Sequence, residues 1–507
     1  MGIEANNNGS SSWVLIALVS LIGAFMSILD STIVDVAITT IMHVFSTNTT
    51  TVQWIVTIYM LTLGVVVPWS GWMGNRFGLK KIYIFSLAIF TLGSALCSLS
   101  WNINSLIAAR VIQALGGGMI MPTTMAMISE AVPREKFGSA MGIFGISLMM
   151  APAIGPTLGG YLVEYVDWRW IFTVNIPIGL LGVLLAFFIL PEFKGNDDAG
   201  KVDVAGGITS SIGLFCLLLA LSKSSDWGWG DEKTVLLLYT SVVALGLFVY
   251  LELTCEHPLL NLRVFKYRNF TMANIILIAV TISLNAGVFY VSLFLQNVRG
   301  LGAMDAGMLQ MAAALASGLL MPIIGALYDR IGPKFMAFAG LSAFLYAQYL
   351  FHQLSLDTPF NLIRLWLIFR SVGMSFGMMP AQTAALADIP PEMAGEASAI
   401  TNIISRVSGS FGIAVLTSII NNRQTMYAER LAEHITSSNM ALSNLSNKLG
   451  GSSTLAYEAL QGLVSQNSYV KAIDDMFIIM CIMTIPVIFL SLFLKKGNKK
   501  SAHMSVE

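Results

Sequence analysis

The sequence predicts an all-α integral membrane protein, with two pseudo-symmetric six-helix bundles and two extra central helices, fourteen transmembrane helices in all. Three observations carry this expectation. The 507-residue chain is 55% hydrophobic and only 11% charged, with a mean hydropathy of +0.73, whereas a soluble domain carries about 25% charged residues. The apolar residues fall in runs of the ~20 residues that cross a bilayer. Motifs of the first half also return in the second. The charge deficit excludes an ordinary soluble enzyme and a disordered chain. With 28 basic and 28 acidic residues the net charge is zero, and there is no basic stripe of the kind nucleic-acid binding requires.

The runs, in order, are 14–37, 52–72, 82–100, 104–129, 138–161, 169–190, 203–222, 234–254, 270–296, 304–327, 335–353, 361–385, 396–420 and 472–494. None alternates in polarity with a period of two, so transmembrane β-strands are excluded. Most connections are short and hold the Gly, Pro and charged residues. Residues 1–12 contain no Lys or Arg, so the basic region of a secretory leader is missing and the first run is read as a span. Cys97, Cys216, Cys255 and Cys481 are scattered and form no CxxC pair. The five histidines show no metal spacing. No metal, catalytic cluster or cofactor is expected, only protons as a coupling ion.

Placing both termini on one side puts sixteen Lys and Arg there and nine on the other. The positive-inside bias then predicts both termini in the cytoplasm, an even span count and residence in the cell (inner) membrane. Four of the nine lie in one long outer segment, 421–471. That segment could be a passive loop, a gating hairpin or a docking site for a periplasmic adaptor.

Gly71-Trp-Met-Gly-Asn-Arg76-Phe-Gly78-Leu-Lys80 returns as Gly325-Ala-Leu-Tyr-Asp329-Arg330-Ile-Gly332-Pro-Lys334, at an offset of 254. Pro133, Glu135 and Gly138 return as Pro390, Glu392 and Gly395, and Gly155 as Gly412, at an offset of 257. Segments in register argue for a duplicated bundle with a site near the midplane. The expected divisions are an N-terminal six-helix bundle at 1–190, a linker with two extra helices at 191–268, and a C-terminal six-helix bundle at 269–507.

Charges inside spans are costly, roughly 2.5–3.5 kcal/mol each on insertion scales, and are functional candidates by default. At 1.5 Å per residue, Asp30 in the first span and Arg110 in the fourth fall at depths that agree to within a few Å. A carboxylate beside a fixed cation stays ionised, and one buried away from it takes up a proton. A helix shift that changes their separation would load or release a proton; the simpler alternative is a permanent ion pair that fixes packing. Asp35, about 7 Å nearer the outside, is a candidate substrate contact or a residue of the outer mouth. Arg370 and Arg406 lie near mid-span with few acidic neighbours, so each pairs with carbonyls, faces a watery cavity or receives an anionic substrate.

In the fifth span, Pro152, Gly155, Pro156, Gly159 and Gly160 combine lost helix hydrogen bonds with close helix approach, which suits a hinge or seal in the outer half. Arg76 and Lys80 sit at the inner headgroup level, between Gly71 and the turn at Gly78, and could clamp a neighbouring helix end. The 28 methionines fill gaps between helices or line an adaptable pocket.

These residues resemble the major facilitator superfamily, and within it the fourteen-span EmrB/QacA-type drug:proton antiporters. Leu29 to Ala37 resembles the span-1 signature of that group, and Gly71 to Lys81 the superfamily loop motif. Arg110-Val-Ile-Gln113-Ala-Leu-Gly116 resembles the span-4 motif whose arginine is linked to proton transfer. Gly155-Pro156-x-x-Gly159-Gly160 resembles the antiporter motif of exporters, and Trp168 to Gly179 is typical of the fourteen-span group. The resemblance covers nearly the whole chain and implies a major facilitator fold with no enzymatic activity. It also implies proton-coupled efflux of drug-like small molecules by alternating access. The chain departs from the pattern at Asn75, where the family usually has Asp, and at Asp35, where it usually has Asn. An exporter of a single metabolite or antibiotic would carry the same motifs. A membrane enzyme would need a catalytic cluster, and a channel would need neither a paired Asp30 and Arg110 nor a kinked fifth span.

Overall fold

A computed structural model describes residues 9–193, 195, 203–255, 258–390, 393–433 and 453–496. Fourteen long helices carry the described chain: α1 Gly9–Val44, α2 Trp54–Phe77, α3 Leu79–Ser98, α4 Ile103–Ala131, α5 Phe137–Tyr165, α6 Asn175–Ile189, α7 Val204–Trp227, α8 Glu232–Thr254, α9 Arg268–Leu293, α10 Ala303–Ile331, α11 Pro333–Phe351, α12 Phe360–Ala387, α13 Ala394–Glu433 and α14 Ser453–Ser491. No strand occurs among the described residues. Thirteen segments are long and apolar enough to cross a membrane. The fourteenth helix, α11, is diluted by Tyr346, Gln348 and Tyr349. Its buried Gln348 accepts a hydrogen bond from Thr484 of α14 at 3.2 Å.

Local chemistry sets the boundaries. Gly78 and Gly332 adopt φ of +90° and +85°, a region that favours glycine, and turn α2 into α3 and α10 into α11. The repeat at an offset of 254 is therefore a repeated turn. Asn102 and Ser105 form a reciprocal capping box at the start of α4.

Packing follows the duplication. In the first half α1 packs on α4, α5 and α6, α2 on α4, and α3 on α4 and α6. In the second, α9 packs on α12, α13 and α14, α10 on α12, and α11 on α12 and α14. The halves meet through α5 with α10 and through α2 with α13, pairs that exchange under the same symmetry. Helix α7 rests on α2 and α13, with α8 packed against it. Trp69 Nε1 donates to Ser211 Oγ at 3.1 Å. Leu236, Tyr239, Val242 and Tyr250 of α8 are exposed, as a lipid-facing helix requires.

Two edges differ from the sequence reading. Helix α1 continues past 37 to Val44, because Ile38, Ile41 and Met42 keep packing. The described parts of the segment 421–471 are helix: α13 runs on to Glu433 and α14 starts at Ser453. Tyr427 donates to Asp475 Oδ2 at 3.0 Å, and Arg423 Nε lies 3.5 Å from the same carboxylate. Residues 434–452, and Lys499 and Lys500 of the basic tail, lie outside the described residues.

The apolar core shows which face is closed. We call the face carrying residues 9 and 491 the terminal face. On that side one cluster joins both halves, including Val67, Met125, Phe137 and Phe144 with Met321, Ile324, Met379 and Ile400. On the distal side the halves keep separate clusters, around Leu29, Ile33 and Ile55 in one and Tyr290, Phe294 and Trp366 in the other. The structure is therefore closed at the terminal face, and among the described residues its halves share no core at the distal face.

Candidate functional site

Five fully buried polar side chains from four helices meet in the first half. Arg110 Nη1 of α4 donates to Asp30 Oδ2 of α1 at 2.6 Å, and Asp30 is 0% exposed. The same nitrogen lies 2.6 Å from Gln113 Oε1. Gln113 Nε2 donates to Asp30 Oδ1 at 2.8 Å and to Ser94 Oγ of α3 at 2.7 Å. Asn175 Nδ2, at the start of α6, donates to Asp30 Oδ1 at 2.8 Å. Arg110 Nε donates to Ile55 O at 3.3 Å, and its guanidinium carbon stands 3.9 Å from the Tyr59 ring centroid. The depth agreement between Asp30 and Arg110 is thus a direct contact.

The polarity of this network has a chemical meaning. Asp30 accepts from three donors and donates to none, the bonding of a carboxylate rather than a carboxylic acid. A protonated Asp30 needs an acceptor. Asn175 Oδ1 is buried and has no donor, so turning the Asn175 amide would offer oxygen where nitrogen now stands. Gln113 and Asn175 were within sequence reach: Gln113 lies three residues from Arg110, on the same helix face, and Asn175 is a lone amide beginning an apolar run. Ser94 and Tyr59 carry no such signal.

The other predicted residues fall in different places. Asp35 is exposed and forms no ion pair with Arg110. Arg370 turns away from the other half: its Nη2 donates to Ser283 O of α9 at 2.7 Å, and its guanidinium lies 5.6 Å from the Phe344 ring centroid of α11. Gly287 leaves room for it, since a Cβ there would collide with Arg370 Nη2. Arg406 of α13 has a buried Nε with no hydrogen-bond partner among the described residues.

In α5, the helix is continuous through Pro152 and Pro156, each of which removes one backbone donor. Gly155 and Gly159 pack against Thr32 and Ile33 of α1, one turn or less from Asp30; a Cβ at Gly159 would lie 3.0 Å from Ile33 O. Pro156 faces Gly307 of α10, and Gly160 meets open space. The motif thus joins the Asp30 helix to the half–half interface, and Gly160 takes no part in either contact.

At the terminal face, the loop motif works through its acid. Asp329, at the end of α10, accepts from the backbone N–H of Gly138 and Ser139 at 2.8 and 2.9 Å and from Ser139 Oγ at 2.6 Å. A carboxylate there caps α5 of the opposite half and complements its dipole. At the symmetry-related contact the roles are exchanged. Asn75 Nδ2 donates to Glu396 Oε1 at 2.9 Å, and Glu396 occupies the position of Ser139 at an offset of 257. Gly71 allows this approach, its Cβ position being 3.2 Å from the Glu396 backbone. The acid missing at Asn75 stands on the partner helix instead. Lys80 does not reach the opposite half but pairs with Glu192, just beyond α6, at 3.2 Å. Arg330 is exposed.

Asp329→Asn should loosen the closed face. An amide keeps one acceptor for two backbone donors and loses the charge–dipole term, about 0.3–1 kcal/mol and up to ~2 when partly buried. With four native cysteines replaced and Met141→Cys as reporter, maleimide labelling from the terminal side should speed up several-fold. An unchanged rate would show that Asp329 is not a latch.

No group of three or more metal-ligating side chains occurs among the described residues. Comparisons with known proteins agree with this geometry. A family model described as Major Facilitator Superfamily matches residues 20–413. The chain is 34% identical, over 98% of its length and 95% of the relative's, to an uncharacterised transporter of that type, YhcA of Bacillus subtilis (strain 168). It is 31% identical, over 81% of its length and 87% of the relative's, to the lincomycin resistance protein LmrB of Listeria monocytogenes. Among solved structures it resembles the proton:xylose symporter XylE, with a TM-score of 0.59 at 12% identity, covering 94% of this chain and 96% of that one. A duplicated bundle closed at one face, and a family match over most of its length, make this chain a multi-pass membrane protein that belongs to the major facilitator superfamily of transporters.

Proposed function

We propose that this protein is a proton-coupled multidrug exporter that moves amphipathic small molecules out of the cell by alternating access, with Asp30 as the proton carrier. The observation that carries the reading is the buried Asp30, held by Arg110, Gln113 and Asn175 and joined through Gly155 and Gly159 to the helix that packs on the opposite half. In the form closed at the terminal face, Asp30 has the bonding of an ionised group. Closure of the distal face would move α5 and α1 together, part Asp30 from one or more donors and favour the protonated acid. Proton entry and substrate exit then alternate across one cycle. The lincomycin resistance named for one relative supports a drug-like substrate. Dedicated export of one antibiotic or metabolite would use the same machinery.

The orientation belongs to this reading. The terminal face carries the basic loops, so both termini are placed in the cytoplasm and the distal face outside. A reporter fused after residue 507 should be cytoplasmic; a reporter outside the cell would reverse the transport direction. The function itself is tested by exposing cells with and without the protein to a panel of toxic compounds, with and without a protonophore. Resistance to several unrelated amphipaths, lost with the protonophore, is expected. Resistance that survives the protonophore would remove proton coupling, and resistance to one compound alone would favour the dedicated exporter.

A further inference from the structure

We propose that Arg406 receives a negatively charged group of the transported molecule, so that the central cleft takes amphipathic anions. The inference deepens the transport reading above and rests on it. Three arginines stand near mid-span, and two have partners: Arg110 has Asp30 and Gln113, and Arg370, whose Nε also lacks an acceptor, has the Ser283 carbonyl and the Phe344 ring. Arg406 has no ion pair and no hydrogen bond to any described residue, and its Nε is buried without an acceptor.

Its position is that of a central site. Arg406 is twelve residues past Ala394, the first residue of α13, about 18 Å along the helix from the terminal face. Gly395, Asn402 and Arg406 form one stripe of α13, within about 60° of each other at 100° per residue. Gly395 lies beside Gly71 and Asn75 of α2, and Asn402 Nδ2 is 3.4 Å from Met125 Sδ of α4. The stripe therefore faces the opposite half, and Arg406 is the member nearest the unjoined distal side. By the same rise Arg110 lies about 32 Å from the terminal face, counted from Ala131 at the end of α4, so Arg406 stands across the interface on the terminal side of the Asp30–Arg110 pair.

A mid-membrane guanidinium costs roughly 2.5–3.5 kcal/mol on insertion scales, and no described residue offers this one an ion pair or a hydrogen bond. Its planar fork matches a carboxylate, sulfonate or phosphate oxygen pair. Asp35, the exposed acid of the opposite half, forms no ion pair with Arg406.

Two xanthene dyes of opposite charge, fluorescein (anionic) and rhodamine 6G (cationic), test the inference by fluorescence anisotropy on the purified full-length protein. Wild type should bind fluorescein more tightly than rhodamine 6G. Arg406→Gln should weaken fluorescein at least tenfold and leave rhodamine 6G within twofold, and Arg406→Lys should retain most fluorescein binding. Tighter rhodamine 6G binding by wild type, binding of neither dye, or an Arg406→Gln effect that is equal on both or absent would overturn it. If Arg406→Gln does not fold, loss of fluorescein binding in a folded Arg406→Lys protein would do the same, because lysine keeps the charge. Binding needs no gradient, so the two readings fail separately. Charge-selective binding without gradient-driven movement in proteoliposomes would sink the transport reading alone. Gradient-driven fluorescein export unaffected by Arg406→Gln would sink the anion receptor alone.

Discussion

Asp30→Asn should abolish uphill export while leaving the protein inserted and able to bind substrate. Asparagine has the shape of the protonated acid but cannot titrate. Its amide oxygen still accepts from Arg110 or Gln113, so the network loses its charge more than its geometry. Arg110 then loses its counter-ion; breaking a buried pair by removing one partner costs about 3–5 kcal/mol. The Gln113 and Ile55 oxygens and the Tyr59 ring offset part of that. Accumulation against a gradient should fall to the level of cells without the protein, while exchange of labelled for unlabelled substrate at equal concentrations persists. Asp35→Asn should do far less, because Asp35 is exposed and outside the network. Uphill export by Asp30→Asn that still collapses with a protonophore would pass the role to Asp35.

The second large effect is expected from Gly159→Leu. A Cβ at this position would already lie 3.0 Å from Ile33 O and 3.1 Å from Ile33 Cγ1, and the rest of a leucine has to push α1 from α5. Overpacking of this kind costs about 1–3 kcal/mol, enough to shift a conformational equilibrium about five- to 140-fold at 1.4 kcal/mol per decade. Because Ile33 is one turn from Asp30, the displacement reaches the proton site. Membrane abundance should match wild type and export should be lost. Gly160→Leu is the control: its Cβ would meet nothing within 4 Å, and export should survive. Equal export by both variants would reduce the motif to ordinary packing.

The sequence made the charged pair legible because helical rise converts position into depth, and a buried acid and base at one depth have reason to meet. It also made the turns at Gly78 and Gly332 legible, because a repeated glycine between two apolar runs marks a repeated backbone conformation. Gln113 and Asn175 were harder to single out, since uncharged amides carry little insertion penalty and do not stand out among apolar residues. The Asn75–Glu396 contact joins residues 321 apart and depends on how the halves dock, which no local pattern encodes. Depth left Arg370 open to carbonyl pairing, a watery cavity or an anionic substrate, and carbonyl pairing is what the structure shows. The room that Gly287 leaves on α9 turns it inward, and that is a property of packing rather than of the helix on which Arg370 lies.

The central claim, that Asp30 exchanges a proton as substrate binds, is tested most directly by substrate-driven proton release from purified protein in weakly buffered detergent solution. Adding an exported compound to the wild type should release protons in proportion to protein, saturating with the binding curve. Asp30→Asn should bind the same compound and release none. Equal release from the two proteins, or none from wild type at saturating substrate, would contradict the account.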